Sequence, residues 1–201
     1  MSLLVLVRHG QSVSNLQNVF TGSLDVALTP KGEQEAQETA KKLRGFHFDT
    51  AFCSDMIRAR RTLDIMLRQL GQADIPVQYN AALNERYYGN LQGLNKAETV
   101  QKYGEEQVDQ WRRSYDVAPP GGESLHQTQD RVVAYYKQAI APVLQQDQHV
   151  LVVAHGNSLR ALRMYLEHFS AEHVKGLEIP TGGAHVYDLD DALTIKKMRD
   201  L

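Results

Sequence analysis

Two histidines in this chain each end an apolar run and precede a glycine. The stretch LLVLVRHG contains His9 and Gly10, and the stretch VLVVAHG contains His155 and Gly156. Ligands of parallel α/β sheets bind beyond the carboxyl ends of the strands, so two neighbouring strands would place both histidines in one site. Glycine beside each histidine would let the backbone approach a ligand closely. A single histidine of this kind can simply cap a strand, but the matched pair favours a shared functional site.

The residues beside these histidines favour a phosphate over a metal ion. Arg8 precedes the first histidine, and a guanidinium opposes a divalent cation but binds a phosphate through two parallel hydrogen bonds. Gly156 and Asn157 open a predicted helix, whose free N–H groups and positive dipole end favour an anion. Arg58 follows another strand end. It can reach the same edge or lie on a solvated helix face, and the sequence leaves both open.

A carboxyl group and several cations lie in the middle of the chain. Glu85 is part of NERYYGN, and a carboxyl in an aromatic, partly dry setting can have a raised pKa and act as a general acid. Lys96, Arg112 and Arg113 follow, either as ligands for an anion or as a basic, exposed helix end. HExxH, CxxC, P-loop, GxGxxG and GxSxG motifs are absent from the sequence, so the chemistries that depend on them lack support.

Composition and charge narrow the class of protein. The chain has 201 residues, of which 42% are hydrophobic and 23% charged, as is typical of a globular protein with a substantial core. A net charge of -2 gives no global basic field for nucleic acid or anionic membranes. The single cysteine, Cys53, excludes an internal disulfide, and the run Leu3–Val7 is too short for a signal peptide or membrane helix. We therefore expect a cytoplasmic, soluble protein with one domain over residues 1–201 and no nucleic-acid or membrane partner.

Strands that alternate with helices must position these residues. The buried runs Leu3–Val7, Thr50–Cys53 and Val150–Ala154 indicate strands of a parallel sheet. Ser54 is predicted to cap the helix that carries Arg58. The pattern predicts the α/β class, with a mostly parallel central sheet in a three-layer α/β/α arrangement. Further predicted elements are a weak strand at Ile75–Gln78, helices near Ala97–Trp111 and at Glu123–Ile140, and a closing hairpin of Ala184–Leu189 and Leu193–Lys197.

Several stretches resemble a known family. RHG with a second histidine at a later strand end resembles the histidine phosphatase superfamily. ERYYGNLQGLNKAE, KYGEEQVDQWRR and AHGNSLRAL are similar, more specifically, to the cofactor-dependent phosphoglycerate mutases. The resemblance runs from about Leu3 to Tyr187 and is most specific between Asn84 and Glu98. It implies a phosphoglycerate mutase-like fold and the interconversion of 3-phosphoglycerate and 2-phosphoglycerate, primed by 2,3-bisphosphoglycerate and without a metal.

The resemblance also implies a role for each matched residue. His9 would be the nucleophile that forms phosphohistidine, and Glu85 would give a proton to the substrate oxygen and take one from it. Arg8, Arg58 and His155 would surround the transferred phosphoryl group. The implied phosphate and substrate contacts are Asn15, Thr21, Gly22, Tyr88, Lys96, Arg112, Arg113, Gly156 and Asn157.

The chain departs from the fuller-length members of that family in four places. Ser14 and Ser23 stand where many relatives carry tryptophan. A segment is missing between Pro120 and Gly121, and the chain stops at Leu201 without the mobile tail that covers the site in longer members. We expect water to reach the phosphohistidine more readily, and hence an appreciable phosphatase side activity. The quaternary state, monomer or homodimer, stays open.

Three other functions compete with the mutase. One is a phosphomonoesterase that uses the same nucleophile on another small anionic phosphate ester. Another is a non-catalytic phospholigand-binding protein, and the third is a metallohydrolase whose ligands are among the eight histidines. The cluster of Tyr88, Lys96, Arg112 and Arg113 separates the mutase from the phosphatase, since a mutase must hold the substrate's carboxylate while the molecule reorients.

Overall fold

A six-stranded sheet forms the middle of the molecule. The strands are β1 (Ser2–Arg8), β2 (Thr50–Cys53), β3 (Val77–Tyr79), β4 (His149–Ala154), β5 (Ala184–Leu189) and β6 (Ile195–Asp200). In this computed structural model, which describes every residue from Met1 to Leu201, their spatial order is β3-β2-β4-β1-β5-β6. β3, β2, β4 and β1 are parallel, and β5 and β6 are antiparallel at one edge.

Nine α-helices connect and cover the strands. They are α1 (Val13–Leu16), α2 (Pro30–Lys42), α3 (Ile57–Leu70), α4 (Lys96–Tyr103), α5 (Glu105–Arg113), α6 (Leu125–Tyr135), α7 (Ala141–Leu144), α8 (Gly156–Leu166) and α9 (Ala171–Gly176). The start of α2 follows from its sequence: Thr29 Oγ1 accepts a hydrogen bond from Gly32 N at 3.1 Å, and Pro30 takes the first helical position.

The helices cover both faces of the sheet. On one face, α2 and α3 contribute Ala36, Ala40, Leu63 and Met66 to a core with the alternate strand residues of β1, β2 and β4. On the other face, α6, α7 and α8 complete a second core, which includes Val132, Leu144, Leu159 and Leu162. Strands buried on both faces must be apolar throughout, which is the pattern of the sequence. The predicted three-layer α/β/α fold with a mostly parallel central sheet is confirmed.

The register of the strands brings three strand ends together. Arg8 at the end of β1 is paired with Ala154 at the end of β4. The two histidines that follow these residues therefore emerge side by side. β2 lies on the other side of β4 and pairs Cys53 with Val153, so Ser54 follows at the same edge.

Several predicted elements differ in their bounds. The weak strand predicted at Ile75–Gln78 is found at Val77–Tyr79. The helix predicted near Ala97–Trp111 is two helices, because Gly104 with φ 83° and ψ 151° interrupts it. The last strand does not begin at Leu193, which lies in the hairpin turn with φ 59°. The helix predicted at Glu123–Ile140 begins only after Ser124 and passes into a π-helical turn at Tyr136–Ile140.

The prediction that Ser54 caps α3 is wrong. The N-cap of α3 is Met56, and no side chain caps it. Ser54 Oγ does accept a bond from Met56 N at 3.2 Å, but its other contacts lead away from the helix, to His155 and Asn84. The hydroxyl therefore belongs to the cluster at the strand ends.

Candidate active site

His9 is buried at the carboxyl ends of the strands, with one ring nitrogen free. Its Nδ1 donates to Gly10 O at 2.6 Å, so in the neutral ring Nε2 carries the lone pair. The side chain is 2% exposed. Burial lowers the pKa of His9 well below its usual value, and the nearby Arg58 and Arg8 lower it further. A neutral imidazole with a free Nε2 can act as a nucleophile.

His155 lies beside His9, with the ring centroids 4.9 Å apart. Its ring is held by a hydrogen bond at Nε2, whereas that of His9 is held at Nδ1. Ser54 Oγ lies 2.7 Å from His155 Nε2. The Ser54 hydroxyl donates a hydrogen bond to Asn84 Oδ1, also at 2.7 Å. Ser54 therefore accepts from Nε2–H, and Nδ1 is left buried without a partner. Burial, followed by the charge of Arg58, lowers the pKa of His155 well below its usual value, so this ring is neutral too.

Two arginines surround these histidines. Arg58 is 1% exposed, and its guanidinium donates to Leu24 O at 2.8 Å and Gly22 O at 3.1 Å. Arg8 Nη1 donates to Ile179 O at 2.6 Å, while Arg8 Nε is buried without a partner. Both guanidiniums donate only to backbone carbonyls, and neither forms a salt bridge. Of the two positions that the sequence left open for Arg58, the structure has the strand-end edge.

Glu85 is held by backbone N–H groups. Its Oε1 accepts from Arg86 N at 2.8 Å and from Asn157 N at 3.1 Å. Asn157 lies in the first turn of α8, so Glu85 occupies one of the helix N–H groups that the sequence analysis assigned to an anionic ligand. Oε2 makes no hydrogen bond within the protein and is the oxygen that can exchange a proton with a ligand.

The glycines that follow the two histidines have different roles. A Cβ at Gly10 would lie 2.1 Å from Gly32 O, so glycine is needed there for packing against α2 and not, as predicted, for the approach of a ligand. A Cβ at Gly156 would lie 3.5 Å from Arg8 Cζ, an ordinary contact. Gly156 therefore faces the site, and Gly10 faces away from it.

A cleft of about 230 Å³ opens next to these residues. Its lining includes eleven of the predicted site residues: Arg8, Asn15, Thr21, Gly22, Glu85, Tyr88, Lys96, Arg112, Arg113, Gly156 and Asn157. The other three, His9, Arg58 and His155, are buried beside the cleft. His9 and His155 are chain neighbours of the lining residues Arg8 and Gly156, and Arg58 donates a hydrogen bond to Gly22 O. The structure thus gathers all the predicted residues in one region.

The outer rim of the cleft is cationic. Lys96 is the first residue of α4, and Arg112 and Arg113 form the last turn of α5. Arg113 forms a salt bridge with Glu178, whereas Lys96 and Arg112 have none. Burial lowers the pKa of Lys96. Uncompensated cations around a small cleft suit a small, highly anionic molecule.

Arg86, which the sequence analysis did not select, supports this rim. It is fully buried, with its guanidinium carbon 4.6 Å from the ring centroid of Tyr88. Its Nη2 donates to Trp111 O at 2.8 Å and to Arg112 O at 3.1 Å, the carbonyls at the end of α5. Burial alone would raise the pKa of Tyr88, but the Arg86 cation makes the net shift downward. Arg86 therefore holds both an aromatic wall and a helix end in place.

Arg160 is a second residue that the sequence analysis missed. Its Nη1 donates to Asn157 Oδ1 at 3.0 Å, and Asn157 Nδ2 donates to Tyr88 Oη at 3.1 Å. Burial and then the nearby Arg113 lower the pKa of Arg160 to about 10. Its position three residues after Asn157 on one helix was a usable signal, since such residues share a face. Glu178, in the loop after α9, has no comparable signal.

Ser14 and Ser23, which the resemblance places at tryptophan positions of the family, lie in different surroundings. Ser14 is a buried residue of α1. Ser23 is exposed, and its backbone N donates to Gln92 Oε1 at 2.7 Å. Gly22 has φ 51°, and a Cβ there would lie 2.1 Å from the same Gln92 oxygen. Gln92 therefore fixes the loop that carries Thr21 and Gly22 at the edge of the cleft.

The side chains that commonly bind metals are dispersed. No group of three or more His, Cys, Asp or Glu residues is arranged to hold a metal ion. Cys53 is buried and unpaired in β2. None of the helices combines the length and the apolar character that crossing a membrane requires.

Comparison with known proteins identifies the family. Residues 4–200 match the model of the histidine phosphatase superfamily, branch 1, and the chain belongs to this superfamily. It is 52% identical to a 2,3-bisphosphoglycerate-dependent phosphoglycerate mutase of Cytophaga hutchinsonii, over 98% of this chain and 92% of that protein. A protein with the same name from Rhodopseudomonas palustris is 53% identical, over 99% and 97% respectively. The resemblance found in the sequence is confirmed.

Solved structures share the fold. A mycobacterial glucosyl-3-phosphoglycerate phosphatase, determined in complex with VO3, superposes with a TM-score of 0.83 at 26% identity, covering 98% of this chain and 96% of that chain. The α-ribazole phosphatase of Shigella flexneri gives a TM-score of 0.82 at 24% identity, covering 96% and 94%. These neighbours are named as phosphatases, whereas the relatives that are more similar in sequence are named as mutases.

Proposed function

We infer that this chain is an enzyme that interconverts 3-phosphoglycerate and 2-phosphoglycerate through a phosphohistidine at His9. The observation that supports this most directly is a neutral histidine with a free Nε2, buried beside a cleft whose rim carries Lys96 and Arg112 without salt-bridge partners. Lys96 and Arg112 can hold a carboxylate while Arg8 and Arg58 hold a phosphoryl group. The name shared by the relatives at 52% and 53% identity supports the same reaction.

In the proposed reaction, 2,3-bisphosphoglycerate first primes the enzyme. His9 Nε2 attacks phosphorus, and the N–P bond forms as the bond from phosphorus to the glycerate oxygen breaks. Glu85 gives its proton to the departing oxygen. Phosphohistidine then transfers its phosphoryl group to the free hydroxyl of a monophosphoglycerate, while Glu85 takes the proton of that hydroxyl. The bisphosphoglycerate formed reorients and returns its other phosphoryl group to His9.

We assign His155 the role of steadying the transferred phosphoryl group. Its Nδ1 is buried without a partner, and in the neutral ring this atom can only accept a hydrogen bond. It can donate to a phosphoryl oxygen once it gains a proton, and a bound dianion favours that protonation by its opposite charge. Phosphoryl binding and protonation of His155 are therefore coupled in this mechanism.

The remaining features of the proposal concern cofactor, partners and location. The primer is 2,3-bisphosphoglycerate, and no step requires a metal. The enzyme acts on small phosphoglycerates in the cytoplasm, with residues 1–201 as one domain, as a monomer or a homodimer. Neither nucleic acid nor a membrane is a partner in this proposal.

A phosphomonoesterase is the second candidate function. It is supported by the structural neighbour at 26% identity, which is named as a glucosyl-3-phosphoglycerate phosphatase. The same phosphohistidine can pass its phosphoryl group to water instead of to a second glycerate hydroxyl. The two functions therefore differ in what the cleft holds after the first transfer.

The decisive assay supplies 3-phosphoglycerate with a trace of 2,3-bisphosphoglycerate and follows both 2-phosphoglycerate and free phosphate. We expect 2-phosphoglycerate to form faster than phosphate is released. Release of phosphate with no 2-phosphoglycerate would refute the mutase and establish the phosphatase.

Glu85→Gln tests the proton transfer. Glutamine keeps an oxygen to accept from the N–H groups of Arg86 and Asn157 but cannot exchange a proton. We expect phosphoryl transfer to slow by roughly 100- to 10,000-fold, the usual range for general acid–base catalysis. Rapid-quench measurement of label transfer checks this, with Glu98→Gln on α4 as the matched control. A loss of less than about tenfold would assign the proton transfer to another group.

A further inference from the structure

Glu178 is one of two anions in a cleft whose charged side chains are mostly cations. It lies in the loop between α9 and β5 and lines the same cleft as Glu85, the only other carboxylate there. Five basic side chains line that cleft: Arg8, Lys96, Arg112, Arg113 and Arg160. The catalytic mechanism uses Glu85 but gives Glu178 no task.

The contact that Glu178 makes is specific. Its carboxylate forms a salt bridge with Arg113, which lies in the last turn of α5. The other four basic side chains of the lining make no salt bridge. Of the five cations, Arg113 is therefore the one that an internal carboxylate already occupies.

The loop that carries Glu178 is held by hydrogen bonds to Arg8 and Thr39. The next residue, Ile179, accepts a hydrogen bond from Arg8 Nη1 at 2.6 Å. Further along, Gly182 O accepts from Thr39 Oγ1 at 2.6 Å, and Gly182 N donates to Arg8 O at 3.1 Å. The backbone beside Glu178 is thus fixed, while its side chain is 69% exposed and free to swing away from Arg113.

We propose that Glu178 determines specificity by competing with the ligand for Arg113, and that it weakens binding of bisphosphorylated ligands more than that of monophosphorylated ones. A ligand anion that reaches Arg113 must displace the Glu178 carboxylate and then lie near its charge. The repulsion grows with the charge of the ligand, and a second phosphoryl group adds about two negative charges. Glu178 thereby offsets part of the attraction of the cationic rim and lets the bisphosphorylated intermediate reorient and leave.

This inference rests on the proposed function, because it takes phosphoglycerates as the ligands. The test uses the full chain with His9→Asn, which cannot be phosphorylated, so that binding is measured at equilibrium. Titration calorimetry compares 2,3-bisphosphoglycerate with 3-phosphoglycerate, with and without Glu178→Gln. We expect Glu178→Gln to tighten bisphosphoglycerate binding about two- to fivefold, the scale of one exposed ion pair. The effect on 3-phosphoglycerate is expected to be smaller.

Two controls separate this role from a general change of charge. Glu172→Gln removes the same charge from α9 nearby, at a residue outside the cleft lining, and is expected to leave the ratio of the two affinities unchanged. In an Arg113→Gln background, Glu178→Gln is expected to lose most of its effect, because the two residues act as a pair. An affinity ratio that Glu178→Gln does not alter, or alters no more than Glu172→Gln does, overturns the inference. If the His9→Asn protein binds inorganic phosphate but neither phosphoglycerate, the proposed function itself fails.

Discussion

The ends of β1 and β4 carry the same short pattern and present their histidines in opposite ways. At the end of β1, His9 Nδ1–H donates a hydrogen bond to the carbonyl of the next residue, which leaves Nε2 free. At the end of β4, His155 Nε2–H donates a hydrogen bond to Ser54 Oγ, which leaves Nδ1 free. The free nitrogen of each ring is therefore set by the hydrogen-bond partner of the other nitrogen. That partner comes from the same turn in one case and from the end of β2 in the other.

The two histidines do not differ in charge. Both are buried, both lie near Arg58 and Arg8, and both have a pKa well below the usual value. In the proposed mechanism, neutrality suits His9 to act as the nucleophile, whereas the same neutrality leaves His155 unable to donate to a phosphoryl oxygen until it gains a proton. Orientation and not protonation of the free protein therefore separates their roles.

The largest expected effect is that of His9→Asn. Asparagine can still donate to Gly10 O but cannot form a stable phosphoryl adduct. We expect no acid-labile label in the protein after incubation with phosphate-labelled 2,3-bisphosphoglycerate, and a fall in turnover on the order of 10,000-fold or more. Label that appeared on His155 in this variant would show that the two histidines can exchange roles.

His155→Asn is expected to have a smaller effect of a different kind. The nucleophile is intact, so label should still enter the protein, but one donor to the phosphoryl oxygens is lost. We expect label incorporation to slow by about 100- to 1,000-fold, the range for removal of one preorganised transition-state donor. Complete loss of labelling at long times would contradict the assigned roles.

The stability of the protein should depend on pH through both histidines. Each binds its proton more weakly in the folded chain than in the unfolded chain, so the unfolded state holds more protons as the pH falls below the usual histidine pKa of about 6.5. The contribution is fully present above that pH and is lost as the pH falls toward the depressed folded value. We expect each histidine to lower the free energy of unfolding by up to about 1.4 kcal/mol per pH unit in this window.

Urea unfolding at several pH values between about 7 and 5 checks this expectation. His9→Asn and His155→Asn should each flatten the dependence by a similar amount, because the two rings share the same causes of neutrality. If one substitution flattened the curve and the other did not, the two surroundings would differ more than their positions suggest.

The sequence predicted the parts of the fold and site that follow from strand patterns. Apolar runs identified β1, β2 and β4, and the rule that ligands bind at the carboxyl ends of strands brought His9 and His155 together. Burial and hydrogen-bond direction do not follow from such patterns. The sequence therefore left Arg58 undecided, although it is fully buried at the strand ends, and could not give the free nitrogen of either ring.

Ser54 was predicted only as an N-cap, whereas the structure places it in the cluster at the strand ends. A serine after a strand and before a helix fits an N-cap, and local pattern alone favours that interpretation. The rule that selected the two histidines applies equally to Ser54, because β2 is parallel to β4 and adjacent to it. Glu178 is different: no motif or spacing marks it, and the role proposed for it comes only from its salt bridge with Arg113 in the structure.

The smallest expected effect on catalysis is that of removing the hydrogen bond that makes the two histidines differ. Ser54→Ala removes the acceptor for His155 Nε2–H, so the ring loses its fixed orientation while His9 keeps its own. We expect kcat/KM to fall about 3- to 10-fold, the scale of one net hydrogen bond, and phosphohistidine formation to persist. Ser54→Thr keeps a hydroxyl and should restore most of the loss.

The pH profile of Ser54→Ala distinguishes a positioning role from mere loosening of the fold. Ser54 accepts from Nε2–H most strongly when the ring is charged, so its removal should lower the pKa of His155 further. The proposed step in which His155 donates to the phosphoryl group needs the charged ring. The optimum of kcat/KM should therefore move to lower pH in Ser54→Ala and stay in place in Ser54→Thr. An equal fall at all pH values would mean that Ser54 only packs against the ring, and the opposite orientations of His9 and His155 would then need another cause.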